Sequence, residues 1–122
     1  ETRLGDIASS IAGAYGATAA LKYERIYPAT INTPHEANFV ADVATAMIGK
    51  DNVIRDLTPS MGAEDFSFML QGRAGAYFRV GQGGAESGCF LHNTGYDFND
   101  AIIPVGAGVM ASIVERSMPV VD

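Results

Sequence analysis

The sequence predicts an α/β chain in which helices alternate with short strands. Three observations carry that expectation. Apolar residues recur at helical spacing in four stretches. Between these stretches lie segments that alternate apolar and polar residues, the period of a strand with one covered face. Glycine or proline closes almost every segment, as expected where a chain changes direction. The 122 residues are 48% apolar and 18% charged, a globular composition rather than a disordered one.

The first element reads as a helix from Thr2 to Tyr15, with Leu4, Ile7, Ala8, Ile11 and Tyr15 on one stripe. Gly16 follows as the residue that tolerates positive φ at a helix end. Thr18 to Tyr27 reads as a strand, because Leu21, Tyr23 and Tyr27 are interleaved with Lys22 and Glu24. Pro28 ends it, since proline cannot donate to a ladder. Thr33-Pro34-His35-Glu36 has the pattern of a capping box with proline at the first helical position. The helix it opens runs to Ile48, and Ala37, Val40, Ala44 and Met47 are expected to be buried. Gly49 stops that helix.

Val53 to Leu57 is a short strand at best, and Pro59 to Gly62 is a loop. Ala63 to Leu70 reads as a short helix with Phe66, Met69 and Leu70 inward. Ala76, Phe78 and Val80 alternate with Tyr77 and Arg79, which predicts a strand ended by Gly81. Gln82 to Gly95 is a long glycine-rich loop. Pro104 to Ser117 is helical, with Val105, Val109, Ser112, Ile113 and Arg116 on one side. Gly106 and Gly108 each cost such a helix about 1 kcal/mol against alanine, which predicts close packing there.

The net charge is −6, and eight basic residues are scattered along the chain. Nothing here forms the basic footprint that nucleic acid requires. No apolar run approaches the roughly 20 residues that span a bilayer. The single cysteine, Cys89, excludes an internal disulfide and fits a reducing, cytoplasmic setting. The chain opens at Glu1 inside a helical pattern, so the expectation is a piece of a larger protein.

Several residues could carry chemistry. Gly81, Gly83, Gly84 and Gly88 suggest a turning loop more than a phosphate cradle, because no Gly-Lys-Ser/Thr follows. Cys89 lies three residues before His92, but Phe90 and Leu91 give it the surroundings of an inert, buried thiol. His35 falls in the first turn of a helix and reads as a solvated side chain. Glu64 and Asp65 open a helix, where the dipole favours carboxylates; two acids beside a glycine loop also suit a functional site. His92 is followed by Asn93, Asp97, Asn99 and Asp100. It is either a metal ligand oriented by a carboxylate or a loop histidine bonded to Asp97 or Asp100. A zinc site needs three or four ligands, so any further ligands must come from outside these residues.

Two motifs carry a resemblance. Met61-Gly62-Ala63-Glu64-Asp65-Phe66-Ser67-Phe68 and Leu91-His92-Asn93-Thr94-Gly95-Tyr96-Asp97-Phe98-Asn99-Asp100 resemble the C-terminal part of the metal-dependent amidohydrolases. That family includes hippurate hydrolase, N-acyl-amino-acid amidohydrolases and the auxin-conjugate hydrolases, and is related to aminoacylase and glutamate carboxypeptidase. Tyr27 to Asn32 resembles its passage from a small domain back into the catalytic domain.

The resemblance implies that residues 1–29 are the last helix and strand of a small α+β lid or dimerisation domain. Residues 30–122 would then close a two-metal, aminopeptidase-like catalytic domain. It implies His92 as a metal ligand, Met61, Gly62 and Glu64 as substrate-pocket residues, and Asp97 and Asp100 as groups behind the ligand. It implies no catalytic residue within the chain, because the general-base glutamate belongs upstream. The intact enzyme would hold two divalent ions (zinc, manganese or cobalt) that polarise an amide carbonyl and activate water. Its substrate would be a small N-acyl amino acid, and a homo-oligomer is expected. The 122 residues alone would be metal-free and inactive. Thr94 departs from the family's usual proline at that position. The competing expectation is a non-catalytic binding module built on the glycine loop and the acidic surface.

Overall fold

The computed structural model describes residues 1–83 and 91–118. Among the described residues there are four α-helices: α1 (Thr2–Ala14), α2 (Pro34–Ile48), α3 (Phe66–Gly72) and α4 (Ile103–Ser117). Two short 3-10 turns, Lys50–Asn52 and Asp100–Ile102, follow α2 and lead into α4.

The α/β expectation is overturned: among the described residues there is no strand. A strand exists only through pairing with a neighbour, and residues 18–27, 53–57 and 76–80 form no ladder. Their alternation therefore covers no sheet face. Leu21, Tyr23, Ile54 and Leu57 all remain exposed. The nearest thing to a ladder is made partly by side chains. Thr33 N–H donates to Gly75 O at 2.9 Å. Asn32 Nδ2 donates to Tyr77 O, and Asn32 Oδ1 accepts from Tyr77 N–H, both at 2.8 Å. The Asn32 amide thus substitutes for a peptide group.

The core lies between α2 and α4, which pack against each other. Val43 and Val109 are 1% and 3% exposed, the two buried apolar residues among those described. Gly108 makes the approach possible. A Cβ there would run into the Met47 methyl group and lie 3.3 Å from its sulfur. The close packing expected of the two glycines in α4 is thus found at Gly108, while Gly106 leaves only ordinary space beside Val80.

The start of α2 is where the sequence places it, but its support differs. Thr33 is the N-cap residue, at φ −72° and ψ 128°, and its side chain makes no cap bond. Its hydroxyl instead accepts from Gly75 N–H at 3.1 Å. Glu36 Oε1 meets His35 Nδ1 at 3.3 Å, and Glu36 Oε2 is buried without a partner. The threonine was drawn off by a distant segment, so no capping box closes. The burial expected of α2 is also not found: Ala37, Val40 and Ala44 are half-buried and Met47 is exposed, while Val43 is the buried residue.

α1 packs on no other helix among the described residues. Its apolar stripe is open, with Leu4, Ile7 and Ile11 each about half exposed. Residues 21–25 run beside it. Leu21 lies over Gly5, and Arg25 bonds Glu1 at 2.8 Å. Gly16, at φ 68°, turns the chain back after the helix.

Candidate functional site

The Met61–Asp65 loop leads into α3, and its last two residues fix that junction. Glu64 O accepts from Ser67 N–H at 3.1 Å and from Ser67 Oγ at 2.6 Å. Asp65 O accepts from Phe68 N–H at 3.0 Å. Ser67 is fully buried, and its hydroxyl is satisfied by this bond, as a buried polar group requires. α3 therefore starts at Phe66, three residues later than the sequence suggests, because Ala63 to Asp65 are spent on the turn that holds it.

Two tyrosines face the two carboxylates. Tyr77 donates its phenol to Glu64 Oε2 at 3.0 Å. That hydrogen bond, then partial burial and the Glu64 charge, raise the Tyr77 pKa above its ordinary value, while Arg79 opposes the shift. Tyr27 is raised too, first by hydrogen bonding to Asp65 and then by the Asp65 charge. Phe66 lies 5.8 Å from Tyr77 between ring centroids, and Phe68 lies 5.8 Å from Tyr27. Arg79 donates to Ser60 Oγ at 2.9 Å. Met61 is fully exposed at the tip of this loop, and Gly62 is exposed beside it. Glu64 is thus oriented by a partner, whereas Met61 is held by nothing.

His92 lies apart from this cluster in sequence, in a turn of its own. Its φ is 68°, a left-handed conformation that histidine adopts more readily than most residues. The turn is completed by Asn93, whose Oδ1 accepts from Gly95 N–H at 2.8 Å and whose carbonyl accepts from Tyr96 N–H at 3.0 Å. His92 and Asp97 are exposed. Asp100 opens the second 3-10 turn, which Asn99 caps by accepting from Ala101 N–H at 3.1 Å. Asn99 also bonds Gln82 twice, at 3.0 and 2.8 Å, which draws residue 82 to the far end of the loop. Gly84, Gly88 and Cys89 lie outside the described residues.

Among the described residues no three His, Cys, Asp or Glu side chains converge to hold a metal ion. The donors present therefore do not form a metal site by themselves. Sequence reasoning picked out Glu64 and Asp65 but missed Tyr27, Tyr77 and Asn32. Tyr77 was read as a member of an alternating strand, and Tyr27 as the end of another and the start of the crossing segment.

Residues 3–116 match the Peptidase family M20/M25/M40. The chain belongs to this family. Within it, the chain is 35% identical over 104 residues to Thermostable carboxypeptidase 1 of Saccharolobus solfataricus, covering 83% of this chain and 25% of that one. It is 34% identical over 92 residues to IAA-amino acid hydrolase ILR1-like 4 of Arabidopsis thaliana, covering 74% and 21%. It is 27% identical over 113 residues to Hippurate hydrolase of Campylobacter jejuni, covering 93% and 29%. The chain spans about a quarter of the length of these M20/M25/M40 relatives. No solved structure matches it. No helix among the described residues is long and apolar enough to cross a membrane.

Proposed function

We propose that these 122 residues are the C-terminal portion of a divalent-metal-dependent amidohydrolase that cleaves small N-acyl amino acids of the hippurate type. The observation that carries the reading is the family match over residues 3–116, with relatives named for hippurate and for auxin–amino acid hydrolysis. In this reading residues 1–29 close a small lid or dimerisation domain, and residues 30–122 close the catalytic domain. His92 is a metal ligand, and Asp97 and Asp100 stand behind it. Met61, Gly62 and Glu64 line the substrate pocket, with Tyr77 fixing the Glu64 carboxylate. The remaining ligands and the general base come from residues outside this chain. Two ions (zinc, manganese or cobalt), a homo-oligomer and a cytoplasmic location complete the proposal.

One imidazole cannot hold a catalytic ion, so in this reading the other ligands come from outside this chain. The purified 122-residue chain is expected to show no metal-dependent turnover of hippurate. In a longer chain that supplies the other ligands, His92→Ala is expected to lower metal content and abolish turnover. Turnover by the 122 residues, or full activity and full metal content in the longer His92→Ala protein, contradicts the proposal.

A further inference from the structure

Residues 75–77 pair with no strand among the described residues, yet Tyr77 is held like a residue in a ladder. The Asn32 amide takes both of its peptide groups, donating to Tyr77 O and accepting from Tyr77 N–H, each at 2.8 Å. With both peptide planes fixed, the direction in which the Tyr77 side chain leaves the backbone is fixed as well. The half-buried ring packs on Phe66, with centroids 5.8 Å apart and planes at 40°, which restricts the side-chain torsions that remain. The phenol at its tip donates to Glu64 Oε2 at 3.0 Å. The neighbouring bonds between Thr33 and Gly75 fasten the same segment, but they reach neither the Tyr77 peptide groups nor Glu64.

We propose that Asn32 is a positioning residue for Glu64: its amide sets the Tyr77 backbone, and the Tyr77 phenol sets the carboxylate. A carboxylate held through one oxygen presents the other in one direction, which lets a pocket acid select a ligand by geometry. The link from Asn32 to the carboxylate stands on these contacts alone. That the carboxylate faces substrate rests on the function proposed above.

The first test reads the Tyr77 phenol by carbon-13 NMR of ring-labelled tyrosine, assigned with Tyr77→Phe. Glu64 and Arg79 are the ionisable groups that act on this phenol; the Glu64 bond raises its pKa and Arg79 opposes the rise. Asn32→Ala is expected to bring the Tyr77 midpoint down to the ordinary tyrosine value near 10. Thr33→Val, which removes the hydroxyl bonded to Gly75, is expected to leave the midpoint raised. An unmoved midpoint in Asn32→Ala overturns the proposal. An equal fall in both variants also overturns it, because fastening residues 75–77 would then suffice. If Asn32→Ala does not fold, the wild-type chain decides: the Asn32 side-chain carbonyl carbon is expected to shift as Tyr77 ionises, and a flat signal overturns the proposal.

The second test uses the longer chain. Asn32→Ala and Glu64→Gln are each expected to raise KM for hippurate about fivefold, the effect of losing one hydrogen bond. A raised KM in Glu64→Gln alone overturns the positioning role. If neither variant changes KM, the pocket assignment of Glu64 fails, and the NMR result still upholds or overturns the link from Asn32.

Discussion

α1 and the α2–α4 pair start from similar sequence and end in different states. Each helix carries a stripe of apolar residues at helical spacing. In α2 and α4 the stripes meet, and Val43 and Val109 leave water almost entirely. α1 packs on no other helix among the described residues, and Leu4, Ile7 and Ile11 remain half exposed. Amphipathicity specifies which face a helix can bury, but stabilisation comes only when a partner surface removes that face from water.

The largest effect expected from this contrast comes from a charge. Val109→Asp places an unpaired carboxylate in the one tightly closed contact, a change among the most damaging known for single residues, of order 4 kcal/mol or more. Ile7→Asp, on the open stripe, is expected to stay within about 0.5 kcal/mol. Amide hydrogen exchange reads both: protection across α2 and α4 should vanish in the first variant and persist in the second. Equal losses would mean that α1 is closed by a partner surface in solution.

Glycine sharpens the same comparison at smaller magnitude. Gly108→Ala brings a methyl group onto the Met47 methyl, the end of a flexible side chain that is itself exposed, so Met47 must move and part of the roughly 1 kcal/mol of helix propensity gained is offset. Gly13→Ala in α1 meets nothing within 4 Å, so the propensity gain stands alone at about 0.5–1 kcal/mol. Urea midpoints are expected to shift less for Gly108→Ala than the propensity gain alone would give, while the helical signal of α1 rises for Gly13→Ala.

The smallest effect concerns pH. The Tyr77 phenol has a raised pKa in the folded chain, first through its bond to Glu64. Its contribution to stability is therefore complete below the unfolded tyrosine value near 10. It is lost as pH rises through the higher folded value. Tyr77→Phe should remove that alkaline dependence, seen as one fewer late-ionising phenol in the ultraviolet titration. Loss of a phenol that ionises at the ordinary tyrosine value would instead mean that the Glu64 bond does not persist in solution.

Local signals in the sequence were read correctly where their partners lie nearby. Gly16 ending α1, Pro34 opening α2 and Gly49 closing it all act within one turn, and each was legible. Thr33 shows the limit. Its position as N-cap was clear, but its hydroxyl bonds Gly75, 42 residues away, and spacing within the helix carries no trace of that. The strands failed for a related reason. Alternation at Leu21 and Tyr23, or at Phe78 and Val80, states a preference for a sheet, and pairing decides whether one forms.

The candidate site divides in the same way. The Glu64-Asp65 pair and His92 stood out by residue type and by resemblance. Tyr77, which orients the Glu64 carboxylate, did not, because 13 positions separate the two. A polar tip on an alternating aromatic is the one signal that could have marked it.

The Asn32 bridge has a kinetic meaning. Its two bonds join positions 45 apart, so they close only after the chain has brought the far segment home, and a loop of that length carries a real closure entropy. α2 can form turn by turn within its own stretch, but the segment leading into it is fastened only when residues 75–77 arrive. Non-local contacts of this kind slow folding. The order of events is thus written into the amide of one asparagine: helix first, stitch last.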